Sequence, residues 1–123
     1  MSKFEKEFDL VELEEMKSAE FCPVMTTLGI IGGKWKPGIL WMLQQNGLLR
    51  FGELKRSIPS ISQKVLSQQL RELEEAGIVH REIFAEVPPR VEYSITDYGH
   101  SLTPVLDAMA HWGIQHAEME PKS

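Results

Sequence analysis

At 123 residues and 42% hydrophobic content, the chain is sized for one domain with a small core and is too apolar for disorder. A single cysteine excludes an intrachain disulfide and fits a reducing compartment. The net charge of −5 weighs against nucleic acid until its distribution is read: residues 34–90 carry nine Lys/Arg against six Glu, and the remainder four against twelve acidic residues.

The start of the chain, MSKFEKEFD, is charged and unlike a secretory signal. No apolar run approaches the roughly 18 residues of a membrane span, so a soluble, cytoplasmic protein with no membrane partner is expected. Over residues 4–19, Phe4, Phe8 and Val11 share one helical face, with Leu10 and Leu13 beside it. A helix this short and acidic is marginal alone and needs its own domain or a second chain to lie against.

Cys22-Pro23 predicts a helix start, with Pro23 at the first position and Cys22 at the cap. That helix runs through Val24, Met25, Leu28 and Ile31 and ends at Gly32-Gly33. The next begins near Lys34–Lys36, because Pro37 is tolerated only in a first turn. Ile39, Leu40, Met42 and Leu43 supply its buried face, and Asn46-Gly47 ends it. Trp35 and Trp41 read most simply as core residues.

Phe51–Arg81 is the organising stretch: a short helix from Phe51 to about Ile58, a break at Pro59-Ser60, and a longer helix to about Ala76 that Gly77 stops. Two helices joined by so short a turn form a helix-turn-helix. Leu66, Leu70 and Leu73 line one face of the second helix, widened by Val65. Lys64, Ser67, Gln68 and Arg71 occupy the opposite face, with Glu75 at its end. Amides, hydroxyls and cations of that kind reach base edges and phosphates in a major groove. Two caps fit the start: Ser60 with Gln63, or Ser62, which is preferred because Ile61 then anchors the turn. Arg50, just before the first helix, is placed to meet a phosphate.

Ile78–Ala85 and Val91–Ile95 read as two strands of a hairpin. Glu86-Val-Pro-Pro-Arg90 joins them, with Arg90 beside a tip stiffened by two prolines. From Thr96, a plausible cap, a last helix carries Leu102, Val105, Leu106, Met109 and Trp112 on one stripe, with a kink or restart at Pro104. An apolar terminal helix on so small a domain points to a dimer interface.

The four histidines, 80, 100, 111 and 116, have no metal-ligand spacing, and no glycine-rich phosphate loop follows a strand. No catalytic set, metal or cofactor is expected. Two other classes compete: a helix-turn-helix that serves only as a protein-interaction module, and a small redox protein dependent on Cys22.

Six pieces, in this order and spacing, resemble the HxlR-type family of winged helix-turn-helix regulators: CPV from Cys22, GGKW from Gly32, RFGEL from Arg50, ISQKVL from Ile61, LRELE from Leu70 and VPPRVEYSIT from Val87. Pro37-Gly38 and Ser60 depart from the family's usual helix formers and glycine. The resemblance implies a mainly α fold with a small β-hairpin, a winged helix-turn-helix with N- and C-terminal dimerisation helices. It implies a homodimer on a pseudo-palindromic double-stranded operator, acting as a transcriptional regulator, with repression the expected mode. The expected domains are 1–21 and 97–123 for dimerisation, through Phe8, Val11, Leu102, Val105, Leu106, Met109 and Trp112, and 22–96 for DNA. The candidate DNA contacts are Arg50, Ser62, Gln63, Lys64, Ser67, Gln68, Arg71 and Arg90. Some family members sense oxidants or electrophiles through the cysteine of the Cys-Pro pair, which makes Cys22 the candidate sensor. The small-molecule effector, if one exists, is not named by the sequence.

Overall fold

The structure, a computed structural model, describes residues 22–119. The expected N-terminal helix, with Phe8 and Val11, lies outside the described residues. Helix α1 spans Pro23–Ile31, with Cys22 at its cap and proline in its first turn, and stops where the Gly32 N–H donates to the Leu28 carbonyl at 2.7 Å. Ile31 alone is buried there, while Val24, Met25 and Leu28 face outward. Helix α2 spans Lys36–Asn46 with Pro37 in its first turn, where its missing N–H costs nothing. Ile39, Leu40 and Leu43 are buried from α2, and Trp35, Trp41 and Met42 pack half-buried against the core.

Strand β1, Leu48–Arg50, leads directly into α3, Phe51–Ser57. The turn that follows buries Ile61, whose N–H donates to the Ile58 carbonyl at 3.1 Å. Helix α4 spans Gln63–Glu75 and is capped by Ser62, whose hydroxyl accepts from the Val65 N–H at 3.1 Å. Leu66, Leu70 and Leu73 are buried, as their spacing requires. The helix ends in a Schellman arrangement. Gly77 takes a φ of +77°, its N–H donates to the Glu74 carbonyl, and the Ile78 N–H donates to the Leu73 carbonyl, both at 3.0 Å.

Strands β2 (Val79–Phe84) and β3 (Arg90–Ile95) form the wing. The hairpin is not alone: β1 pairs with β3, giving an antiparallel sheet in the order β1-β3-β2. The expected hairpin is present, and β1 adds to it a strand that the sequence did not announce. The third strand ties the wing to the start of α3 and aligns Leu49 with Tyr93.

Thr96 joins three elements. Its N–H donates to the Ile78 carbonyl, its hydroxyl donates to the Gly77 carbonyl at 2.6 Å, and the same hydroxyl accepts from the Gly99 N–H at 2.9 Å. Its hydroxyl thereby meets the first N–H of a 3₁₀ turn, Gly99–Leu102, rather than starting the α-helix itself. Gly99 is packed so closely on the Ile78 carbonyl and the Ile95 side chain that a Cβ has no room. The terminal helix α5 runs over Thr103–Met119, so Pro104 falls in its first turn and marks the restart. Of the stripe on this segment, Leu106 is buried and Leu102 half-buried, while Val105, Met109 and Trp112 are exposed. Met109 also lines an apolar groove of about 470 Å³ between α2 and α5, with Pro37, Trp41, Leu106, Gly113 and Ile114.

Candidate nucleic-acid interface

The outer face of α4 presents Gln63, Lys64, Gln68 and Arg71 to solvent, with Ser67 half-buried at its edge. The opposite face is anchored by three fully buried leucines, so the helix has one rotational setting and one outward surface. Neither Lys64 nor Arg71 has a carboxylate within ion-pair distance among the described residues, which leaves both charges available. Ser62 has a second duty as the cap, and its hydroxyl is already committed to the Val65 N–H.

Arg50 lies at the junction of β1 and α3. Its backbone N–H donates to the Glu53 carboxylate at 2.8 Å, which satisfies the first turn of α3. Its side chain is more than half exposed and stands 4.0 Å from Glu92, a loose contact that leaves the guanidinium free to turn outward.

Arg90 is held differently from a bare tip cation. Its guanidinium stacks on the Phe84 ring at 4.1 Å and pairs with Glu86 at 3.0 Å and Glu92 at 3.2 Å. The Nε lies within ion-pair distance of Glu92 but is out of line for a hydrogen bond. The side chain is only 28% exposed. The sequence shows a cation beside two prolines; the fold shows one braced at the tip end of the wing, on the last rung before the loop.

Other cations of the basic middle are also spoken for. Lys36 pairs with Glu72 at 3.5 Å, and Lys55 donates to the Pro59 carbonyl at 3.2 Å, closing the turn between α3 and α4. Sequence reasoning missed Arg81 and Tyr93. They face each other across β2 and β3 and share a cleft with Ser67, Arg71, Glu74 and Phe51. Burial pushes the Tyr93 phenol above its usual value, with the Arg81 charge pulling it back and Glu74 reinforcing the rise.

Cys22 is an exposed free thiol at the α1 cap, where its carbonyl accepts from both the N–H and the hydroxyl of Thr26. No group of three or more His, Cys, Asp or Glu suited to a metal occurs among the described residues. No helix among them is long and apolar enough to cross a membrane.

A three-stranded sheet, a helix-turn-helix whose second helix is polar outward, and a wing docked beside it define a winged-helix protein built to meet a nucleic-acid duplex. The profile of the HxlR-like helix-turn-helix family matches residues 30–121, and the chain belongs to that family of transcriptional regulators. It is 54% identical over 94 residues to the HTH-type transcriptional regulator YybR of Bacillus subtilis, covering 76% of this chain and 74% of the relative. An HTH-type regulator of Methanothermobacter thermautotrophicus is 44% identical over 111 residues, covering 89% of this chain and 84% of the relative. Among solved structures, the redox regulator HypR in its oxidized form superposes with a TM-score of 0.73 at 47% identity, covering 83% of this chain and 100% of that one. The reduced form of the transcriptional regulator YodB from B. subtilis does so with 0.67 at 36% identity, covering 82% and 99%.

Proposed function

We propose that the protein is a homodimeric repressor that sets two α4 helices into successive major grooves of a pseudo-palindromic operator. The observation that carries this is the outward face of α4: Gln63, Lys64, Gln68 and Arg71 exposed, opposite leucines that fix the helix in place. Amides are suited to adenine edges and Arg to guanine edges or phosphates. Within this reading, residues 22–96 bind DNA, with Arg50 on the backbone and Arg90 setting the wing. Residues 1–21 and 97–123 join the subunits. The exposed Val105, Met109 and Trp112, and the apolar groove that Met109 helps to line, support the second assignment. Symmetric pairing is the commonest way to cover such a face.

Cys22 is the proposed sensor. Its exposure at a helix start supports this, as do the redox regulator HypR and the structure of diamide-treated YodB among the structural relatives. Operator sequence and any small-molecule effector are open to the same experiment: a binding titration on the DNA upstream of the protein's own gene, repeated over a range of salt. Three or four cations per subunit predict a log–log slope of roughly −5 to −7, at about −0.9 per phosphate neutralised. Binding that ignores salt, or no binding to any duplex, would overturn the reading.

A further inference from the structure

The cleft between α4 and the wing is not used by the reading so far. It has a volume of about 350 Å³, and its lining is two guanidinium groups, two hydroxyls, one carboxylate and one aromatic ring: Arg71, Arg81, Ser67, Tyr93, Glu74 and Phe51. Its formal charge is positive, and most of its polar groups can donate. That chemistry selects an anion with several acceptor oxygens and has too few carboxylates for a cation.

Its placement narrows the choice further. Ser67 and Arg71 stand one turn apart on α4, on the edge of the outward face. Arg81 and Tyr93 oppose one another across β2 and β3, so both project from the same side of the sheet toward α4. On the DNA-binding reading, with α4 in a major groove, the cleft between that helix and the wing faces the side on which the backbone strand would pass.

Glu74 reaches across from α4 and pairs with the Arg81 Nε at 3.2 Å. Nε lies on the side of the guanidinium, so the pair leaves the two terminal amino groups directed elsewhere. We propose that the cleft seats a DNA backbone phosphate, with Arg81 and Arg71 neutralising it and Glu74 as the positioning residue that aims Arg81. This rests on the DNA-binding reading. Glu74 has opposing effects: it orients the cation, and its own charge repels the phosphate. A glutamine in its place keeps a polar oxygen beside Nε and removes the repulsion.

The sign of that effect separates a phosphate seat from a simple brace between helix and wing. The test uses the full-length protein and a mixed-sequence duplex long enough for both subunits, since phosphate contacts carry no base information. Affinity is followed by fluorescence anisotropy over a salt series, with thermal melts to compare folding. Glu74→Gln is expected to bind several-fold tighter at low salt. Arg81→Gln is expected to flatten the salt slope by about 0.9 per subunit, and Arg81→Lys to retain most of it. Should Arg81→Gln fail to fold, Glu74→Gln and Arg81→Lys still decide. A Glu74→Gln protein that binds no tighter than wild type, or an unchanged slope in a folded Arg81→Gln, makes the pair a brace and overturns the phosphate seat alone. A wild-type protein that binds no duplex overturns this proposal together with the reading beneath it.

Discussion

Ser67 and Gln68 are neighbours on α4 but occupy different surroundings: Gln68 is open to solvent, and Ser67 sits half-buried at the lip of the polar cleft. Gln68→Ala is therefore expected to relax base preference at one or two operator positions, at a cost of about 1–3 kcal/mol on the preferred sequence. Arg50→Ala, by contrast, is expected to weaken all duplexes alike. Affinities on a panel of single-base operator variants measure both, and parallel losses in the two mutants would erase the distinction between reading and positioning. The α4 face was legible in the sequence because three leucines at helical spacing fix which side looks out. Arg81 and Tyr93 were not, because strand alternation assigns a side chain to a face but not to the helix that covers it. Arg90 illustrates the same limit: no pattern in VPPRVEY reveals that Phe84, Glu86 and Glu92 enclose it.

At the scale of elements, helix starts and stops were plain, since Pro23, Pro37, Ser62 and Gly77 act through local backbone chemistry. Strand β1 was invisible because three residues, Leu48–Arg50, are too few to show a period of two. Its pairing with β3 is a long-range event, decided by where α2 and α3 leave the chain. The final helix was anticipated with its restart at Pro104, although the cap at Thr96 belongs to the preceding 3₁₀ turn. Helix α5 contributes only Leu106 to the fully buried core, so it has apolar surface left for a second subunit. Deleting residues 101–123 is expected to give a monomer, an aggregate or an unfolded chain. Sedimentation of the truncated protein checks this, and a truncated dimer that still binds its operator would contradict the assignment of α5.

For the whole molecule, two reading helices must stand about 34 Å apart to enter successive grooves on one side of the duplex. In the proposed homodimer that spacing is set by how the subunits pair, and bulk or a tether added near their contact is expected to alter it. Cys22 is the only cysteine, so in the proposed dimer a disulfide formed on oxidation joins the two subunits or a small thiol, while an electrophile adds to the thiol directly. Diamide or a quinone is expected to change operator affinity of the wild type and leave Cys22→Ser unaffected. Thiol labelling is followed in the same titration. Equal responses from both proteins, or a thiol that resists labelling in the folded state, would leave the regulator with a different signal.

The Thr96 junction bears on how such a signal travels. One hydroxyl holds the exit of α4 through Gly77, and the entry to the terminal helix through Gly99; the backbone N–H beside it grips Ile78 at the start of the wing. The three elements thus meet at one residue, and Gly99 is pressed against Ile78 with no slack for a side chain. If the subunits pair through the terminal helix as proposed, handle and blade share one pin: a tilt of that helix bears directly on the residues that end α4 and begin the wing.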